Sequence, residues 1–160
     1  MMTSSTNSVQ RVIDALETMD LPSEVIDLPT STRTAVEAAE AVGCDVGQIV
    51  KSLIFRTSDS DQPILVMASG VNRVDEDLVG GILGEEIEFA SPDYVRETTG
   101  FAIGGVSPLG HLTPIKTFLD EDLLQYESIW AAAGSPHTVF SIPPQVLVEA
   151  SQAEPIPVHA

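Results

Sequence analysis

The chain is organised around Thr99-Gly-Phe-Ala-Ile-Gly-Gly-Val-Ser-Pro-Leu-Gly-His111. Glycine allows a positive φ and a close approach of the backbone to a ligand. Pro108 fixes its own φ, lacks an N–H donor and biases the residue before it away from helix. Together with the apolar residues Phe101, Ile103 and Val106, this predicts a short buried strand that breaks into a rigid loop with exposed backbone amides. Such a loop can hold a small polar ligand, although the composition also fits a tight turn between two strands.

Short helices with recognisable ends alternate with short strands along the rest of the chain. Thr34-x-x-Glu37 fits a capping box, and Ser91-Pro92 places a cap before a proline at the first helical position. Runs of apolar and β-branched residues on either side of turn residues predict hairpins over 50–69 and 128–142. Hairpins argue against a purely parallel sheet.

These elements predict an α+β (mixed α/β) fold class. We expect a mostly antiparallel, barrel-like sheet surrounded by helices. The chain of 160 residues fits a single domain. We place that domain at residues 8–160, after a polar, disordered N-terminus at residues 1–7.

The charge balance is strongly acidic, with 24 Asp and Glu against 7 Lys and Arg, a net charge of −17. A field of this sign repels nucleic acid and anionic membranes at low salt. It is often a solubility device and is typical of a halophilic cytoplasm, although an acidic mesophilic protein is equally compatible with it. The single cysteine excludes an intrachain disulfide. Without a signal-peptide pattern or an apolar run of about 18 residues, the sequence predicts a soluble cytoplasmic protein.

Lys51 is the most unusual charged residue, because the chain has only two lysines and this one lies among apolar residues. Burying an ammonium ion without a partner is costly, so a lysine at the start of a core strand can serve to hold an anion. The alternative is a lysine at a strand end whose ammonium reaches water. The residues alone leave both interpretations open.

Several other chemistries lack their motifs. The three histidines are far apart and no His/Cys pair has metal-ligand spacing, so the sequence predicts no metal site. A phosphate-binding Gly-x-x-x-x-Gly-Lys-Ser/Thr loop and a Gly-x-Ser-x-Gly nucleophile elbow are also absent from the sequence.

Four segments resemble the YbaK/EbsC-like aminoacyl-tRNA deacylases, which share a fold with the editing domain of prolyl-tRNA synthetases. The segments are Val46-Gly-Gln-Ile-Val-Lys-Ser-Leu-Ile-Phe55, Val66-Met-Ala-Ser-Gly-Val-Asn-Arg-Val-Asp75, Thr99 to His111 as quoted above, and Trp130-Ala-Ala-Ala-Gly-Ser-Pro-His-Thr-Val-Phe140. They occur in the family's order and spacing. The resemblance as a whole extends over about residues 8–150. The resemblance implies the single-domain fold of that family.

The resemblance also implies a set of site residues. The family lysine that faces the aminoacyl end of tRNA falls on Lys51, and the family Gly-x-x-x-Pro loop falls on Gly104 to Pro108. The implied catalytic residues are Lys51, Gly104, Gly105, Ser107 and Pro108. The implied substrate-binding residues are Ser69, Asn72, Ile103, Val106 and His137.

The function implied by the resemblance is trans-editing: hydrolysis of mischarged aminoacyl-tRNA, such as Cys-tRNA(Pro) or Ala-tRNA(Pro). Amides at Gly104 and Gly105 can stabilise an oxyanion, and Lys51 can fix a phosphate or polarise the ester. No metal or organic cofactor is implied. The implied partners are the CCA end of tRNA and prolyl-tRNA synthetase, with no membrane and no DNA. The charge of −17 keeps open an alternative of another class, a non-catalytic tRNA- or synthetase-binding module.

Overall fold

The structure is a computed structural model, and it describes residues 4–21, 23–29, 34–102 and 104–159, with side chains from Ser8 onward. The described part contains five α-helices, α1 Ser4–Thr18, α2 Ala35–Val42, α3 Glu76–Leu83, α4 Pro92–Thr99 and α5 Pro144–Ser151. Its strands are β1 Ile26–Asp27, β2 Val50–Thr57, β3 Pro63–Ser69, β4 Ile87–Phe89, β5 Lys116–Asp120, β6 Ile129–Ala132, β7 Thr138–Ile142 and β8 Glu154–Ile156. Among these helices, none is long and apolar enough to cross a membrane.

The helix ends follow the local sequence closely. The Thr34 hydroxyl accepts from the Glu37 N–H at 3.1 Å and the Glu37 side chain accepts from the Thr34 N–H, which confirms the capping box. Gly43 ends α2 with a φ of 76°, a left-handed conformation that glycine adopts without strain. Ser91 caps α4 in front of Pro92, as the sequence predicts.

The strands form two sheets, one of five strands in the order β4-β2-β3-β5-β8 and one of three in the order β1-β7-β6. Pairs β2–β3 and β6–β7 are the two predicted hairpins. β3–β5 and β5–β8 are parallel, whereas the other four pairings of named strands are antiparallel. The mixed, mostly antiparallel α+β architecture is therefore confirmed.

The prediction of a barrel-like, closed sheet is wrong. Among the described residues the two sheets are joined by one isolated parallel bridge, Ile49 to Trp130, and the five-stranded sheet keeps β4 and β8 as its edges. The three-residue β4 pairs with only residues 55–57 of β2. A short edge strand cannot continue the ladder around to a second sheet, so the sheets separate instead of closing.

The glycine-rich stretch forms no strand among its described residues. Phe101 is fully buried and Val106 nearly so, but Gly104 has a φ of 93°, which interrupts a pleat. After Thr99, which ends α4, the stretch is therefore a loop in which Ala102 and Gly104 are exposed. Ile103 lies outside the described residues.

Two elements near the ends of the chain were not fully predicted. α1 begins at Ser4, before the apolar pattern starts, because the first turn of a helix can be polar and adds nothing to that pattern. The sequence also gave no signal for β8, which is only three residues long and contains Pro155.

Side chains of the five-stranded sheet pack into two apolar clusters on its opposite faces. Val50, Ile54 and Met67 belong to the larger cluster, whereas Phe55 and Val66 belong to the smaller one. Alternation along β2 therefore directs even-numbered residues toward the larger cluster. The candidate site lies at the open edge of this strand.

Candidate active site

A cavity of about 680 Å³ lies along the first half of β2. α2, the glycine-rich loop, β6 and the turn between β6 and β7 supply its other walls. Its lining is mostly aliphatic and includes Val50, Ile54, Val95, Val106 and Ala131. The predicted site residues Lys51 and Gly104 also line it, although they are distant in sequence.

Strand pairing explains why the space is open. The Ala90 N–H donates to the Ile54 carbonyl at 3.1 Å, so β4 and the residue after it cover this edge of β2 from Ile54 onward. At the other end, Ile49 bridges to Trp130 of β6. Between these two points no named strand pairs with this edge of β2 in the described chain, and the cavity fills the gap.

The Lys51 ammonium is bound within the protein. Nζ donates a short hydrogen bond to the Asn72 carbonyl. Burial lowers the pKa of Lys51, the Asp120 carboxylate acts in the opposite direction, and Arg73 adds a further lowering effect. Lys51 thus has the internal polar partners that a half-buried ammonium requires.

Asn72 connects Lys51 to a fully buried carboxylate. Asp120, which is 0% exposed, accepts the Asn72 Nδ2–H at 2.8 Å and the Ser69 N–H at 3.0 Å through Oδ2, and the Asp122 N–H at 2.9 Å through Oδ1. Asn72 also donates to Asp122 Oδ2 at 2.7 Å. We call Lys51, Ser69, Asn72, Asp120 and Asp122 the lysine network. Its two aspartates were not among the predicted site residues, because an acidic pair before a helical turn has an ordinary local explanation.

Gly104 and Gly105 are adjacent but differ in their surroundings. Gly104 is exposed to the cavity, and a Cβ built on it meets nothing within 4 Å. Gly105 is buried, and a Cβ there would lie 2.8 Å from the Cα of Ser135. Its N–H already donates to the Ala102 carbonyl at 2.9 Å. Gly105 therefore closes a turn and allows close packing, and only Gly104 presents its backbone to the cavity.

Ser107 and Pro108 are buried behind the loop surface and do not line the cavity. The Ser107 hydroxyl accepts from the Leu109 N–H at 3.1 Å, and its carbonyl accepts from His111 Nε2 at 2.6 Å. Burial lowers the pKa of His111 and so favours its neutral ring. A neutral ring has one N–H donor, and the contact with the Ser107 carbonyl needs only one. These residues fix the shape of the loop.

Arg11 on α1 holds both ends of the loop. Its Nη2 donates to the Gly100 carbonyl at 2.6 Å and its Nε to the Gly110 carbonyl at 3.3 Å. Its guanidinium carbon lies 4.6 Å from the centre of the Phe101 ring. This role could not be predicted from the sequence, because an arginine on an amphipathic helix is normally a solvated residue.

The other described residues that were predicted to bind substrate do not line the cavity. Ser69 is buried, and its hydroxyl donates to the Gly47 carbonyl at 2.7 Å. His137 Nδ1 lies 3.8 Å from Asp27 Oδ1, on the β1 side of the small sheet, although its neighbours Pro136 and Thr138 line the cavity. The structure thus brings Lys51, Gly104 and Val106 to one cavity and leaves Ser69, Asn72, Gly105, Ser107, Pro108 and His137 outside its lining.

Residues 30–150 match the model of the aminoacyl-tRNA editing domain family. The chain belongs to this family. The resemblance recognised from the four segments is therefore confirmed. The editing-domain match begins after α1, so Arg11 lies outside it while contacting the loop inside it.

Several known proteins are similar to this editing domain over most of its length. A crystal structure described as "a putative trans-editing enzyme for prolyl tRNA synthetase" is 44% identical, with a TM-score of 0.90 over 100% of this chain and 99% of the other. YwhH of Bacillus subtilis, an uncharacterized protein, is 34% identical over 80% of this chain and 81% of its own. EbsC of Enterococcus faecalis, named "Putative Cys-tRNA(Pro)/Cys-tRNA(Cys) deacylase", is 25% identical over 76% and 74%.

Proposed function

We propose that this editing domain is a trans-acting hydrolase in the cytoplasm, which removes the amino acid from mischarged tRNA. The substrates we propose are Cys-tRNA(Pro) or Ala-tRNA(Pro), and the acting unit is residues 8–160. One observation carries the proposal: Lys51 and Gly104, from separate parts of the chain, line the same cavity. The aliphatic lining suits a small, uncharged amino acid side chain.

The proposed reaction is ester hydrolysis. A water oxygen attacks the carbonyl carbon, the bond from that carbon to the ribose oxygen breaks, and the ribose oxygen takes a proton as the amino acid leaves. Negative charge develops on the carbonyl oxygen before the bond breaks, and an oriented N–H donor lowers the barrier. We assign this contact to the Gly104 amide, since the Gly105 amide is already used in the loop. Lys51 supplies positive charge at the cavity edge.

The acidic surface shapes how tRNA would be bound. Phosphate contacts supply most non-specific affinity, and a protein with a net charge of −17 makes few of them. We therefore propose that the domain grips only the CCA end and that prolyl-tRNA synthetase presents the mischarged tRNA. The structure labelled as a trans-editing enzyme for that synthetase supports this link.

The test follows release of labelled amino acid from a panel of mischarged tRNAs. The unaltered chain should deacylate at least one alanyl or cysteinyl substrate, and Lys51→Ala should remove most of that activity. Lys116→Ala is the matched control, because it makes the same charge change at the other lysine, which is 51% exposed and does not line the cavity. Equal loss in both variants would point to net charge instead of the site.

A non-catalytic binding module is the second candidate, favoured by the hydrogen bond that engages the Lys51 ammonium within the protein. It predicts association with tRNA or synthetase and no turnover on any substrate of the panel. Binding without release above the uncatalysed background would replace the hydrolase assignment with this one.

A further inference from the structure

The buried carboxylate of Asp120 is the strongest feature that the proposed reaction does not use. It is fully buried at the end of β5, yet it belongs to no ion pair within 4.0 Å of a lysine, arginine or histidine in the described chain. Burying a charge is expensive unless hydrogen bonds and a counter-charge compensate it. Asp120 receives three hydrogen bonds, from Ser69, Asn72 and Asp122.

The geometry links this carboxylate to Lys51 through one residue. The Asn72 side chain is fixed by two carboxylates, Asp120 at 2.8 Å and Asp122 at 2.7 Å, and its N–H donates to the Ser69 carbonyl at 3.0 Å. The carbonyl of the same residue accepts from the Lys51 ammonium, so Asn72 contacts both the buried carboxylate and the lysine. Register agrees with this arrangement, since Lys51 pairs with Ala68, and Met67 pairs with Leu119 beside Asp120.

We propose that Asp120 is a positioning residue for Lys51, which holds the ammonium at the cavity edge through Asn72 and supplies its counter-charge. The proposal rests on the function proposed above, because it explains how a catalytic lysine is held. Asp120 itself does not line the cavity.

Three ionisable groups besides Lys51 and Asp120 act on this arrangement and bear on its pH dependence. Arg73, in the loop after β3, opposes a positive charge on Lys51, and Asp120 favours it. Asp122 binds Asn72 from the turn after β5, and His159, near the C-terminus, binds Asp122 Oδ2 through Nε2 at 3.0 Å. Asp120 is the fully buried member of this set, so water screens its field the least.

The two-lysine composition makes the inference directly measurable. With isotope-labelled lysine the full chain gives two side-chain NMR signals, from Lys51 and Lys116, and Lys116→Arg assigns them. We expect Lys51 to titrate at a lower pH than an ordinary lysine side chain. Asp120→Asn, which keeps the shape and removes the charge, should move the Lys51 titration further down. Asp122→Asn is the matched control and should move Lys51 less, because Asp122 is 41% exposed.

Deacylation gives the second readout. At a fixed pH Asp120→Asn should lower kcat about tenfold, the size expected for losing a hydrogen-bonded charge, with little change in KM. An unchanged Lys51 titration in a folded Asp120→Asn protein overturns the inference. Such a result leaves the hydrolase proposal standing, whereas an inactive wild type with the expected titration overturns only the hydrolase proposal.

A measurement on the unaltered chain covers the case in which Asp120→Asn does not fold. The ammonium protons of Lys51, held by the Asn72 carbonyl, should exchange with water more slowly than those of Lys116. Equal exchange rates for the two lysines would overturn the inference.

Discussion

The glycine-rich loop at residues 100–111 and the lysine network meet at the same cavity but are held by different forces. The loop is fixed by close backbone packing, as where Gly105 abuts Ser135, and by the clasp of Arg11. The lysine network is fixed by hydrogen bonds to the buried charge of Asp120. The loop should therefore respond to changes of volume, and the network to changes of charge.

The largest expected effect comes from the network. Asp120→Ala removes three hydrogen bonds and the carboxylate whose charge acts on Lys51. We expect the free energy of unfolding to fall by about 3 kcal/mol, as for breaking a buried charge arrangement. Urea denaturation measures it. Asp122→Ala removes a much more exposed carboxylate and should cost about 1 kcal/mol or less; equal costs would contradict the distinction.

Volume should dominate in the loop. Gly105→Ala places a methyl group 2.8 Å from the Cα of Ser135, which cannot move without its strand connection, so we expect a loss of about 2 kcal/mol. Gly104→Ala has open space but a φ of 93°, and should cost about 1 kcal/mol.

For the same two glycines, the expected order of the losses in activity is opposite to the expected order of the losses in stability. At a temperature where both variants are folded, Gly104→Ala should lose more deacylation than Gly105→Ala, since its methyl group enters the cavity. Urea denaturation and amino acid release on both proteins check the crossed order. The reverse order of activity loss would place the substrate on the other side of the loop, and the reverse order of stability would contradict the close packing of Gly105 against Ser135.

Arg11→Met tests the hydrogen bonds by which Arg11 holds the two ends of the loop. The carbonyls of Gly100 and Gly110 lose their donor and Phe101 loses a cation over its ring, for an expected cost of about 1–2 kcal/mol. Arg96→Met makes the same charge change at an exposed position on α4 and serves as the control. Thermal unfolding of the two variants side by side should show the larger decrease in Tm for Arg11; equal decreases would show that charge alone is responsible.

The smallest expected effect is a pH dependence at His111. Burial holds its pKa below the usual value, so below about pH 6.5 the unfolded chain takes up a proton that the folded chain resists. This contribution to stability is present above that pH and is lost as the pH falls toward the lowered pKa. His111→Gln should remove it, so the difference between the two proteins in urea midpoint should shrink on acidification. A constant difference from pH 8 to pH 5 would contradict the sign.

The sequence predicted the features that depend on nearby residues. Each of these features is a short pattern with one physical cause. They are the helix caps at Thr34 and Ser91, the two hairpins, and the isolation of Lys51. Gly104 was readable as a residue whose backbone can approach a ligand, but the different surroundings of Gly105 were not, since Ser135 is far away in sequence.

Long-range contacts account for what the sequence did not predict. Arg11 meets Gly100 and Gly110 across 89 and 99 positions, and Asp120 meets Ser69 across 51. Neither residue type is unusual where it occurs, because an arginine on a helix and an aspartate before a helical turn have ordinary local explanations. The prediction of a closed barrel was wrong for a similar reason. Strand length and edge pairing decide whether a sheet closes, and β4 pairs with β2 over three positions.

The backbone of α1 lies in close contact with two glycines, so it constrains the loop by packing as well as by the hydrogen bonds of Arg11. A Cβ at Gly110 would lie 3.2 Å from the Arg11 carbonyl oxygen, and one at Gly134 would lie 2.7 Å from Ser8. Backbones in such contact leave no room for side-chain rearrangement to absorb a displacement. We therefore expect α1, the loop and the β6–β7 turn to open as one cooperative unit, so that their amides exchange with solvent together.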